Sequence, residues 1–152
     1  MGRAAAGGGY RGPAMDTILF DLDGTITDSA PGIVDCFRHA LAAVGAPPPD
    51  DATLHGVVGP PLVHTLHRLG LSEADVLRAR AAYRERYDTR GWSQNSVYPG
   101  LPDLLRSLAR PGVTLGLTTS KNERLARRIL RHFDLDGPFT FIGAASDDDT
   151  RI

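Results

Sequence analysis

Apolar and polar positions along this chain follow two different periods. Residues 17–20, Thr-Ile-Leu-Phe, form a short apolar run with a β-branched pair, and acidic turn residues follow at once. That is the pattern of a buried parallel strand ending at Asp21. Past a Gly-Thr turn the spacing becomes helical. Pro31 suits a first helical turn, and Ile33, Phe37, Leu41 and Val44 recur on one face until Gly45. Pro47-Pro48-Pro49 reads as a stiff connector. Leu62, Leu66 and Leu69, between Pro60-Pro61 and Gly70, predict a second helix. Ser72 with Asp75 reads as a capping box opening a third, which carries Val76, Ala79, Tyr83 and Tyr87.

A loop through Trp92 and Pro99-Gly100 leads to a fourth helix bearing Leu101, Leu104, Leu105 and Leu108. Pro111-Gly112 then introduces a second buried strand over residues 113–117. Ser120 with Glu123 predicts another capping box, and Leu125, Ile129, Leu130 and Phe133 supply the following helix with its apolar face. Residues 139–142 are a third strand candidate. Strand, all-helical stretch, then helix-strand-helix-strand implies an α/β protein. Its expected parts are a parallel-sheet core, residues 15–30 plus 97–152, and an all-helical insert, residues 31–96. Residues 1–14 read as a tail.

Composition narrows the function classes. The chain has 152 residues, 41% hydrophobic and 23% charged, which describes a globular protein rather than a disordered one. The formal charge is −1 with no concentrated basic face, so there is no nucleic-acid footprint. Cys36 is the only cysteine, so no internal disulfide forms. No apolar run approaches the roughly 20 residues of a membrane span. Residues 1–14 lack an apolar stretch of signal type, and Ala6 stands where a myristoylation signal wants Ser or Thr. The expectation is a disordered tail ahead of Met15 and a cytoplasmic location.

The segment Ile18-Leu19-Phe20-Asp21-Leu22-Asp23-Gly24-Thr25 carries the chemistry. Ligands in open α/β sheets bind beyond the carboxyl ends of the strands, where Asp21 falls. An extended chain alternates faces, so Asp21 and Asp23 point to the same side. Two carboxylates that close repel unless a cation or a shared proton intervenes. Mg²⁺, a hard ion wanting oxygen ligands, suits that crowding. Gly24 allows a sharp turn, and Thr25 adds a hydroxyl within reach of a phosphate oxygen. A carboxylate can attack phosphorus to form an acyl phosphate that water then opens. The letters FDLDG recur at residues 133–137, but a helical pattern precedes them and Pro138 stands where Thr25 did. That copy reads as a helix-to-strand turn.

The first segment resembles the opening signature of the haloacid dehalogenase-like hydrolases, in the form used by their phosphatases and phosphomutases. The resemblance implies a Rossmann-like sheet with Asp21 as nucleophile, Asp23 as acid/base, and both as Mg²⁺ ligands, Asp23 through its main-chain carbonyl. Thr119, at the end of the second strand, resembles the second signature, whose hydroxyl holds the phosphoryl group, with the Ser120 N–H assisting. Gly59-Pro60-Pro61-Leu62 and Tyr98-Pro99-Gly100 resemble segments of the helical cap in the phosphoglycolate phosphatase-like branch. Implied substrates are small phosphorylated metabolites, phosphoglycolate or a nucleoside monophosphate. A sugar phosphomutase of β-phosphoglucomutase type uses the same pair, and a non-catalytic remnant binding phosphate or a partner chain is a third alternative.

The family pattern also wants a Lys after the third strand and an acidic signature after the fourth. Lys121, the only lysine, lies beside the second signature, too early to serve. Asp147-Asp148-Asp149 reads as a loop. Three of the usual five strands are thus expected, with an uncovered strand edge and a feeble or inactive chain. His64 and His67 lack a third ligand and read as surface residues. Cys36 reads as a buried hydrophobe, the Arg127-Arg128-Arg131 cluster as a solvated helix side, and Trp92 and the tyrosines as packing.

Overall fold

The computed structural model describes residues 17–146; the expectations for residues 1–14, Met15 and Asp147–Asp149 lie outside them. The chain runs through β1 (Thr17–Phe20), β2 (Thr27–Asp28), α1 (Ala30–Ala43), α2 (Asp51–His55), α3 (Leu62–Arg68), α4 (Glu73–Thr89), a 3₁₀ turn (Gly91–Ser93), β3 (Ser96–Val97), α5 (Leu101–Leu108), β4 (Thr114–Asn122), α6 (Glu123–His132) and β5 (Phe141–Ala145). Strands β1, β4 and β5 form a parallel sheet in that order. The short strands β2 and β3 pair antiparallel where the chain leaves the sheet for the helices and where it returns. This is the α/β architecture that the element order implied.

Two apolar clusters hold the molecule. The helical one gathers Ile33, Cys36, Phe37 and Leu41 of α1 with Leu54, Leu66, Val76, Ala79 and Tyr87. All but Leu54 come from helices that the sequence pattern foresaw. The sheet cluster contains Leu22, Ile26, Leu105, Leu115, Leu117, Ile129 and Leu130, and Trp92 packs against both clusters. A buried side chain of this size contributes roughly 1.5–3 kcal/mol. Bidentate bonds from Arg86 of α4 to Asp35 of α1, at 2.8 and 3.1 Å, tie the two longest helices together, and the guanidinium holds the Asp35 carboxyl below its usual range. At the start of α1, a Cβ on Gly32 would lie 2.2 Å from the Gly91 carbonyl oxygen, so only glycine allows that approach.

The structure departs from the sequence expectations in several places. Strand β1 is not fully buried: Thr17 and Leu19, which alternate onto one face, are exposed, Leu19 at 55%, and β1 is an edge strand among the described residues. Strand β4 extends to Asn122 rather than stopping at residue 117, since its ladder with β5 continues past a bulge after Thr119. Ser120 therefore lies inside a strand and caps nothing. Asn122 opens α6, its side chain accepting the Leu125 N–H at 3.4 Å. The third strand starts at Phe141, because the Phe139 and Thr140 N–H groups are taken by Asp136 and Leu115 carbonyls. Helix α2 was not foreseen; its cap is Asp50, which accepts the Thr53 N–H at 2.8 Å. No described helix is long and apolar enough to cross a membrane.

Candidate active site

Leu22 is wholly buried, and its carbonyl accepts the N–H groups of Thr25, Ile26 and Thr27 at 3.0–3.3 Å. Gly24, at φ +80°, closes this turn by donating to the Thr27 carbonyl at 2.7 Å, a conformation that glycine adopts without strain. With Leu22 driven into the sheet cluster, both flanking carboxylates turn the other way. Asp21 and Asp23 line one cavity of about 610 Å³ between the carboxyl edge of the sheet and the helices. Ser120, Lys121, Phe37, Tyr83 and Tyr87 share its wall. Gly24, Thr25 and Thr119 are not on that wall. Thr119 is buried just past the β1–β4 ladder, and its hydroxyl accepts the Lys121 N–H at 3.3 Å.

Lys121 is the residue that sequence reasoning missed. Its ammonium lies 3.0 Å from Asp23 Oδ2, with the lysine side chain 8% and the aspartate side chain 14% exposed. It also donates to the Tyr87 hydroxyl at 2.8 Å and stands 4.4 Å from the centre of that ring. Lys121 does lie beside the second signature, ahead of the third strand, and the structure adds its contact with Asp23. Because β4 runs on to Asn122 through an irregularity after Thr119, Ser120, Lys121 and Asn122 all reach the cavity wall. Reading the strand as four or five residues longer would have found it.

Asp23 Oδ1 is buried and has no hydrogen-bond partner. A carboxylate oxygen in that position calls for a cation or a donor. Two adjacent carboxylates, one with an orphaned oxygen, fit a hard divalent ion such as Mg²⁺. Asp21 through its carboxylate and Asp23 through its main-chain carbonyl would hold it, which leaves the Asp23 carboxyl to carry a proton. Among the described residues no group of three or more His, Cys, Asp or Glu gathers to form another metal site.

Tyr83 and Tyr87 stack with ring centres 5.7 Å apart, and burial pushes both phenol pKa values up. They are thus both packing and cavity wall. Burial also raises the Cys36 thiol to about 11, as befits a small buried hydrophobe. His64 and His67 are exposed, and His67 lies 3.7 Å from Glu73. The arginine cluster is not uniformly solvated. Arg128 donates to the Asp88 carbonyl at 2.9 Å and sits 3.7 Å from the centre of the Trp92 ring, because α6 packs beside the end of α4.

An acid pair at the carboxyl edge of a parallel sheet, facing helices across a cavity, is the arrangement of a ligand site in an open α/β protein. The sequence model of the haloacid dehalogenase-like hydrolases matches residues 18–150, and the chain belongs to that family. It is 48% identical to the tyrosine-protein kinase PtkA of Mycobacterium tuberculosis, over 92% of this chain and 48% of that protein. A solved structure of that kinase superposes with a TM-score of 0.81, covering 92% of this chain and 64% of the other. A 5'-nucleotidase of Pseudomonas aeruginosa is 43% identical over 88% of this chain and 61% of its own. A phosphoglycolate phosphatase of Rhodospirillum rubrum is 34% identical over 80% and 54%. The chain spans about half the length of these curated relatives.

Proposed function

We propose that this chain carries the nucleophile half of a Mg²⁺-dependent phosphomonoester hydrolase that works through an aspartyl-phosphate. The observation that carries the reading is the convergence of Asp21 and Asp23 on one cavity wall at the carboxyl edge of the sheet. A carboxylate oxygen of Asp21 attacks phosphorus while the ester P–O bond breaks. The leaving oxygen takes a proton from Asp23. Water then attacks the phosphoryl group, returning a proton to Asp23, and the Asp21–phosphorus bond breaks to release phosphate. The Ser120 N–H is assigned to the phosphoryl oxygens; the family resemblance would add Thr119, Gly24 and Thr25, which lie off the cavity wall. When bound by Asp21 and Asp23, Mg²⁺ would lower the repulsion between the nucleophile and the anionic phosphoryl group.

The helices between β2 and β3 serve as a cap that excludes water. Apolar Phe37 beside polar Ser120 and Lys121 suits a small phosphorylated metabolite. The relatives named as a 5'-nucleotidase and a phosphoglycolate phosphatase support a nucleoside monophosphate or phosphoglycolate. The test is phosphate release from each, with Mg²⁺ and with EDTA, by the wild-type chain and by Asp21→Asn. Turnover, however slow, that needs Mg²⁺ and vanishes in D21N supports the reading; turnover that survives D21N sinks it.

The 48%-identical relative named as a tyrosine kinase favours a second reading, in which the phosphoryl group on Asp21 passes to a protein tyrosine hydroxyl rather than to water. Incubation with radiolabelled ATP and a tyrosine-containing protein separates the two. Label retained on tyrosine supports transfer, and label released as free phosphate supports hydrolysis.

A further inference from the structure

We infer that Lys121 is a positioning residue that makes the placement of Asp23 depend on the placement of helix α4. The inference rests on the assignment of Asp23 as the acid/base group. A continuous polar relay joins two separately packed parts of the molecule. Tyr87 belongs to α4 and the helical cluster, Lys121 is the penultimate residue of β4, and Asp23 lies in the turn after β1. The contacts are 2.8 Å from Lys121 Nζ to the Tyr87 hydroxyl and 3.0 Å from Nζ to Asp23 Oδ2.

Three features separate this relay from an ordinary surface ion pair. Both charged side chains are mostly buried, at 8% and 14% exposure, so water does not substitute readily for either partner. The other Asp23 oxygen has no partner, which leaves Lys121 as the contact that orients the carboxylate. The same seam continues outward with Arg124 on Asp88 at 2.8 Å and Arg128 on the Asp88 carbonyl at 2.9 Å. These outer contacts hold the end of α4 against α6, and Lys121 extends the seam inward to the chemistry. If α4 swings away, Tyr87 leaves the ammonium and the ammonium no longer fixes Asp23. Acid/base readiness is thereby tied to a closed cavity.

A leaving-group comparison reads this directly. A nitrophenolate departs without a proton, whereas an alkoxide needs one from Asp23. Lys121→Met should lower kcat/KM, which reports formation of the aspartyl-phosphate, by about 10²-fold for an alkyl phosphate and by less than about tenfold for p-nitrophenyl phosphate. Tyr87→Phe, which removes one oxygen atom, should show the same split at smaller amplitude. Equal losses on the two substrates, or a rise in KM alone, overturn the inference in favour of a structural or substrate-contact role. A second readout needs no turnover. In amide hydrogen exchange, Asp23→Asn should speed opening of the last turns of α4 severalfold, although Asp23 lies outside that helix. Unchanged protection there overturns the coupling. Should the wild-type chain hydrolyse neither ester, the exchange measurement alone decides whether Lys121 joins the two parts.

Discussion

The same five letters, Phe-Asp-Leu-Asp-Gly, occur at residues 20–24 and 133–137 and fold in two ways. In both, the leucine is the anchor: Leu22 is 0% and Leu135 4% exposed, each in the sheet cluster. What precedes them differs. Phe20 ends a strand, so the first copy emerges at the carboxyl edge of the sheet and its two acids face a cavity. Phe133 ends a helix, so the second copy unwinds through Asp134 at φ 55°, and Asp136 lies 3.6 Å from Arg131 on the surface. The residue types that can attack phosphorus are present twice. Only the element that delivers them puts them where a ligand can sit.

The sharpest way to break this comparison is to remove one acid from each copy. Asp21→Asn should lower phosphate release by at least about 10³-fold, as loss of a covalent nucleophile does. Asp134→Asn should leave the rate unchanged, since asparagine accepts the left-handed backbone there. Similar losses at both sites would mean that the second copy also takes part in the chemistry. Next in size are the anchors. Leu22→Ala and Leu135→Ala should each destabilise the fold by about 2–5 kcal/mol in denaturant titrations. Where both variants are still folded, only Leu22→Ala should also lower the turnover rate, because Leu22 alone sits between two site carboxylates.

The contrast between the copies was legible in the sequence, because it depends on local period: a β-branched apolar run before one and a 3.6-residue pattern before the other. The helices that pack through long apolar faces were legible for the same reason. Asp21, Asp23 and Ser120 could be placed together because two parallel strands end side by side. Lys121 could not, since its role depends on Tyr87, 34 residues away, and on a strand that outlasts its apolar run. Charged residues beyond the apolar part of a strand look like loop. The five-residue helix α2 was hidden for a related reason: too short for a period to show, it is marked only by its Asp50 cap. Arg128 looked solvated because the aromatic partner beneath it, Trp92, comes from outside its helix.

The glycines test the backbone half of the comparison with a smaller effect. Gly24 has φ +80° and nothing within 4 Å of a Cβ built on it, so Gly24→Ala meets conformational strain and no clash. It should destabilise the fold by about 1–2 kcal/mol. Gly137 has equally open space and no left-handed φ. Gly137→Ala should be neutral or stabilise by up to about 1 kcal/mol, through the loss of unfolded-state freedom. Thermal melts of the two variants should therefore move in opposite directions or differ clearly in size. Equal shifts would show that the two turns are held alike.

The smallest effect separates the second acids of the two copies. Asp136 and Arg131 are 49% and 68% exposed at 3.6 Å, so water and salt screen their attraction. Asp136→Ala should change stability by no more than about 0.2–1 kcal/mol, and salt at about 1 M should erase the difference from wild type. Asp23→Ala, by contrast, strands the buried ammonium of Lys121 against the Tyr87 ring with its counter-charge gone. Its loss should be larger and should persist at high salt, because solvent ions do not reach an 8%-exposed side chain. A salt titration of both variants reads this as two slopes. A salt-sensitive deficit in Asp23→Ala would place that carboxylate in solvent rather than in a closed site, and the two copies would then differ less than their settings imply.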